Sequence, residues 1–94
     1  MSQSFSYKNV KSSKEAYKKV KAHINPELMK KFKVRAEMEY NDDDLIITAN
    51  GKGFTLVVTF LDTEAEVDLN LSLMLKPLKG MVMGTLSKEI EAVI

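Results

Sequence analysis

From Glu64 to Leu75 the chain alternates without an error. Ala65, Val67, Leu69, Leu71, Leu73 and Leu75 fall on one side and Glu64, Glu66, Asp68, Asn70, Ser72 and Met74 on the other. A period of two over that length predicts a strand with one buried face. At Lys76-Pro77 the period changes. Leu78, Val82, Leu86, Ile90 and Ile94 then recur every fourth residue, as on one face of a helix. The prediction is a long half-buried strand that feeds directly into an amphipathic C-terminal helix.

The same patterning divides the rest of the chain. Phe5 and Tyr7 alternate with Ser4, Ser6 and Lys8 across residues 3–9, predicting a short strand at a sheet edge. Ser12 and Glu15 have the spacing of a capping box. The helix they open buries Ala16, Tyr17, Val20 and Ile24 and turns Lys11, Lys14, Lys18 and Lys21 to the opposite side. Asn25-Pro26 interrupts it, because proline inside a helix loses a hydrogen bond and clashes with the preceding turn, while at the first helical position it costs little. Asn25 is therefore expected to cap a second short helix burying Leu28, Met29 and Phe32, with one kinked helix as the alternative.

Period two returns at Lys33, with Val34, Ala36, Met38 and Tyr40 against Lys33, Arg35, Glu37 and Glu39. Asn41-Asp42-Asp43-Asp44 supplies turn chemistry. Leu45 to Ala49 is the next strand, and Asn50-Gly51 is a strong hairpin signal. Phe54, Leu56, Val58 and Phe60 share one face of the strand after it, which turns at Leu61-Asp62-Thr63 into the opening stretch. The order is β-α-(α)-β-β-β-β-α. Short turns between the last four strands predict an antiparallel meander, and helices over its apolar face give a two-layer α+β fold in a single domain spanning 1–94.

Charge sharpens the picture. Residues 1–35 carry ten lysines and arginines against two glutamates, net +8, whereas residues 36–94 carry four lysines against eleven acids, net −7. Such segregation creates opposed potentials that steer partners or favour self-association, or it is a set of solvated faces folded near one another. There is no cysteine, which removes disulfides, thiolate catalysis and cysteine-held metal centres. The polar start, MSQSFSYKNVKSSK, does not resemble a secretion signal, and no run of about 18 apolar residues could span a bilayer. A cytoplasmic protein is expected.

Candidate chemistry is sparse. His23 is the lone histidine, so no histidine metal cluster or Ser-His-Asp triad can be assembled. Asp42-Asp43-Asp44 lacks the spacing of a calcium loop. Asn50-Gly51-Lys52-Gly53 lies in a hairpin, not at the strand-to-helix junction where phosphates are cradled. Glu64, Glu66 and Asp68 form a polar strand face that is solvated or could pair with Lys33 and Arg35 across the sheet. No catalytic residue, metal or cofactor is assigned, and the expectation is that the protein is not an enzyme. The basic stripe Lys11, Lys14, Lys18 and Lys21 suits anionic partners, but without interleaved stacking aromatics nucleic acid is a weak candidate. Pro77 to Leu86 carries one charge, Lys79, and Gly80 and Gly84 mark where another backbone could come close. Leu78, Met81, Val82, Met83 and Leu86 are the candidate interaction surface, with burial of the whole segment between the sheet and the first helix as the alternative.

The run Val67 to Ile94, with Leu73-Met74-Leu75, Lys76-Pro77-Leu78-Lys79-Gly80 and a helix closing on Lys88-Glu89-Ile90-Glu91, resembles the polyhydroxyalkanoic acid system proteins. These are small bacterial proteins linked to polyhydroxyalkanoate granules. The order of elements is similar over nearly the whole chain, although the Asn25-Pro26 break departs from the continuous helix of that family. The resemblance implies association with the granule surface or granule proteins and no reaction. The alternative is an intracellular carrier for a lipid or acyl ligand held between sheet and C-terminal helix, as in a reduced helix-grip fold. A third expectation is a homodimer through the sheet edge or last helix.

Overall fold

The computed structural model describes residues 2–31 and 36–94. Along the chain run β1 (Ser2–Ser6), α1 (Ser13–His23), α2 (Pro26–Lys31), β2 (Ala36–Asn41), β3 (Ile46–Gly51), β4 (Phe54–Phe60) and β5 (Glu64–Leu71). A single 3-10 turn (Lys76–Leu78) and α3 (Lys79–Val93) follow. The strands form one antiparallel sheet in the order β1-β5-β4-β3-β2. Strands β2 to β5 are the expected meander, and β1 is an edge strand paired with β5. The fold is α+β, with α3 packed on the sheet.

Local chemistry sets the helix ends. Ser12 Oγ accepts the Glu15 N–H at 3.2 Å and caps α1. Only half of the expected capping box forms, because Glu15 Oε2 accepts from the Lys11 N–H at 3.4 Å instead of reaching the Ser12 backbone. Asn25 serves two helices at once. Its Nδ2 donates to the Ala22 carbonyl at 3.1 Å, and its Oδ1 accepts the Leu28 N–H at 3.0 Å. That double bond between helices explains a clean break with Pro26 opening α2 and not one kinked helix. Phe32, Lys33, Val34 and Arg35, expected to finish α2 and start the next strand, lie outside the described residues, as does the Met29 side chain.

One face of the sheet carries the core. Ile47, Ala49, Leu56, Val58, Ala65 and Val67 have no exposed surface, and Ala16, Val20, Ile24, Val82, Leu86 and Ile90 come down on them from α1 and α3. Burial alternates along β4 and β5 as a half-covered sheet requires.

Two turns differ from expectation. The β3–β4 turn is Lys52-Gly53, not Asn50-Gly51: Gly53 takes the positive φ of +74°, and Asn50 and Gly51 extend β3 opposite Thr55 and Phe54. The β2–β3 turn is held by Asn41, whose Oδ1 accepts the N–H groups of Asp43 and Asp44 at 3.1 and 3.0 Å. Leu45 closes that turn at φ +56°.

Lys33 and Arg35, the partners considered for Glu64, Glu66 and Asp68, lie outside the described residues. In β5 the three carboxylates sit opposite Ser6, Ser4 and Ser2 of β1.

Candidate functional site

The strand predicted to reach Leu75 ends at Leu71. Its pairing with β4 runs out there, because β4 begins at Phe54, opposite Leu71. Beyond Leu71 a strand would leave its β4 side unpaired, and the chain turns. The Ser72 N–H donates to the Gly53 carbonyl at 2.8 Å and closes β5 against the Lys52-Gly53 turn. The N–H groups of Leu75 and Lys76 both donate to the Ser72 carbonyl at 3.0 Å, and Leu78 N–H donates to Leu75 O at 2.9 Å. Leu75 and Leu78 pack half-buried against the core.

This tight turn throws two large apolar side chains outward. Leu73 is 81% exposed and Met74 90% exposed. Met81, in the first turn of α3, is half exposed. Lys76 and Lys79 flank the turn, and no acidic residue occurs between Asp68 and Glu89. A cleft of about 330 Å³ elsewhere is lined by Lys14, Tyr17, Lys18, Lys21, Asp42 and Leu45, whereas the smaller cleft at the base of this tip is bounded by Leu69, Asn70, Leu71, Lys76 and Lys79. Apolar groups this exposed, ringed by cations, suit contact with an apolar surface bearing negative charge.

The residues singled out from the sequence are dispersed by the fold. Val82, Met83 and Leu86 are core residues, Leu78 is half-buried, and of the five only Met81 offers substantial surface. The contact surface written from the sequence is therefore corrected: a four-residue repeat marks the side of α3 that meets the sheet. Gly80 and Gly84 face open space, since a Cβ at either would meet nothing within 4 Å. Leu73 and Met74 were missed. The legible signal was strand length, because a twelve-residue strand would overrun a β4 bounded by turns at Gly53 and Leu61.

The basic stripe divides. Lys11 precedes α1, and Lys14 and Lys18 stand exposed on it. Lys21 is engaged: its Nζ lies 3.1 Å from Asp42 Oδ1 and 5.5 and 5.0 Å from the ring centroids of Tyr17 and Tyr40. Burial pushes the phenols of Tyr7, Tyr17 and Tyr40 above their ordinary range, so all three stay neutral at physiological pH. His23 Nδ1 lies 3.3 Å from Glu89 Oε2 and links α1 to α3. Among the described residues no three histidine, aspartate or glutamate side chains converge as a metal site.

The acyl-carrier expectation needs a lumen between sheet and α3. Water-sized voids leave accessible area on the side chains that line them. Leu56, Val58 and Val67 have none, and Leu86 and Ile90 have 1%. That interface is filled. Among the described residues, no helix is long and apolar enough to cross a membrane. Compared with protein-family models, curated proteins and solved structures, the chain matches none.

Proposed function

We propose that this is a non-enzymatic, cytoplasmic protein that associates with polyhydroxyalkanoate granules or their proteins through the tip between β5 and α3. The observation that carries the proposal is a coincidence of position. The segment Leu73-Met74-Leu75-Lys76-Pro77-Leu78-Lys79-Gly80, where the chain most resembles the polyhydroxyalkanoic acid system proteins, is also the segment that bares Leu73 and Met74. Seating these side chains and Met81 in an apolar surface removes them from water at about 25 cal/mol per Å², before the cost of immobilising the protein. Lys76 and Lys79 add attraction to a negatively charged granule coat. No cofactor enters, because the proposed activity is adhesion.

Cosedimentation with purified polyhydroxybutyrate granules tests the proposal. Wild-type protein is expected to pellet with the granules, and Leu73→Asp/Met74→Asp to lose at least tenfold in bound fraction while keeping its circular dichroism. These two positions are the informative ones, since a charge at buried Met83 would disturb the core. Wild-type protein that stays in the supernatant, or a variant that pellets equally well, overturns it.

A further inference from the structure

The sequence-level charge asymmetry becomes an asymmetry between the two layers. The helical segments carry nine lysines against four glutamates. The described strands carry five carboxylates, Glu37, Glu39, Glu64, Glu66 and Asp68, and no lysine or arginine. All five project from the side of the sheet away from the helices, because each alternates with a core-facing neighbour. Between the two acidic strands that open face is neutral, with Thr55, Val57 and Thr59 of β4 half-buried. On the opposite side Lys14 and Lys18 stand exposed one turn apart on α1, outside the ion pairs found among the described residues.

We infer that the partner of each face is the other face of a second copy of this chain. A symmetric pairing of two sheet faces would set Glu66 and Asp68 against their own counterparts, and a symmetric pairing of two helical faces would set lysine against lysine. Like charges across an interface cost several kcal/mol and exclude both arrangements. Only a head-to-tail contact, helical face on sheet face, joins opposite charges. The body measures 38 × 22 × 20 Å, so each broad face is close to the area of about 800 Å² that one partner buries in a standard interface. A contact of this kind is heterologous. In each contact one copy keeps its acidic face free and the other its basic face, so the chain builds open stacks and not a closed dimer. The tip at Leu73-Met74 lies at the end of β5, beside the stacking faces and free of them.

Sedimentation velocity tests the inference. At 20 mM salt the weight-average mass is expected to climb with concentration, and at 500 mM salt, where the Debye length falls to about 4 Å, the protein is expected to be a monomer. Lys14→Glu/Lys18→Glu reverses the two exposed charges of α1 and leaves the helical segments nearly neutral, and Glu66→Lys/Asp68→Lys does the same for the sheet face. Each variant alone is expected to stay monomeric at low salt, and an equimolar mixture to assemble again. All four positions lie outside the core, and an unchanged thermal melt verifies each fold. A mixture that stays monomeric, or single variants that assemble like wild type, overturns the inference. So does a monomeric wild type at low salt; if that protein binds vesicles containing phosphatidylglycerol, the lysine face serves an anionic surface instead.

Discussion

Tyr17 Oη donates a 2.5 Å hydrogen bond to Asp42 Oδ1, joining the buried side of α1 to the turn between β2 and β3. Lys21 Nζ donates to the same oxygen at 3.1 Å and lies over the Tyr17 and Tyr40 rings. The Tyr40 hydroxyl in turn donates to the Ile24 carbonyl at 3.0 Å, where α1 ends. One exposed carboxylate thus fixes Tyr17 and Lys21, and Tyr40 adds a second tie between α1 and the β2 side of the sheet.

That arrangement makes stability depend on acid in a stated direction. The bonds from Tyr17 and Lys21 hold the Asp42 carboxyl below its ordinary value of 3.8. Because the folded value is depressed, the contribution is in place above pH 4 and is lost as the pH falls through and below 3.8. Asp42→Asn keeps the shape and removes the charge. Urea midpoints at pH 7 and pH 3 are expected to show a lower midpoint for the variant at pH 7 and a smaller gap from wild type at pH 3. An equal gap at both values refutes the linkage.

How much was legible in the sequence depended on whether a signal was local. Asn25-Pro26 specified its own break, since capping and proline chemistry act within one turn. The alternation at Phe54–Phe60 named the core face correctly because burial on one side of a strand imposes period two whatever its partner. The end of β5 failed for the opposite reason: Leu73 and Leu75 keep the period, but strand length is set by where β4 begins, outside the run itself. The α3 contact residues failed likewise. A repeat of Leu78, Val82 and Leu86 states that one face is buried, and only the packed sheet shows that no apolar face is left over. The charge segregation was legible as a count, whereas its resolution into two opposite layers required the strand order.

At the alkaline end the sign reverses. Tyr7 donates to the Leu61 carbonyl at 2.7 Å, and burial, reinforced by Asp62 and Glu64, pushes its phenol from 10.0 up to about 12. The unfolded chain releases that proton first, so the contribution of Tyr7 is complete below pH 10 and is lost as the pH rises toward 12. Absorbance at 295 nm is expected to show tyrosine ionisation displaced above the ordinary 10.0 while the protein is folded. Tyr7→Phe should remove one ionisation from the curve above that pH. A step at pH 10 in folded wild type contradicts the burial of all three phenols.

Leu86 and Met81 separate the two sides of α3. Leu86 is 1% exposed and sits in the cluster with the sheet, so Leu86→Ala is expected to cost 2–5 kcal/mol, combining lost transfer energy with a residual cavity. Met81 is half exposed, and Met81→Ala should change stability by no more than about 0.5 kcal/mol. Guanidinium titration of both variants checks the orientation of the helix. Comparable losses would mean that α3 also buries its second side.

The two classes of glycine should respond to alanine with opposite signs. Gly84 lies inside α3 with open space around it, so a methyl group meets nothing and the helix gains roughly 1 kcal/mol from restricted backbone freedom in the unfolded chain. In a domain of this size that is a rise of about 4–8 °C in Tm. Gly80 has the same open surroundings but stands in the first turn, where fewer helical bonds depend on it, so a smaller rise is expected. Gly53 is the reverse case. Its φ is +74°, and an added Cβ would lie 2.7 Å from Ser72 Oγ and 3.0 Å from Ser72 Cβ, at the bond that closes β5. Gly53→Ala must strain the turn or displace Ser72, and a loss of about 1 kcal/mol or more is expected. Thermal melts of the three variants therefore test the end of β5 and the outward side of α3 together. If Gly84→Ala lowered Tm, something would have to cover that side, and the head-to-tail contact through the helical layer would be the first place to look for it at low salt.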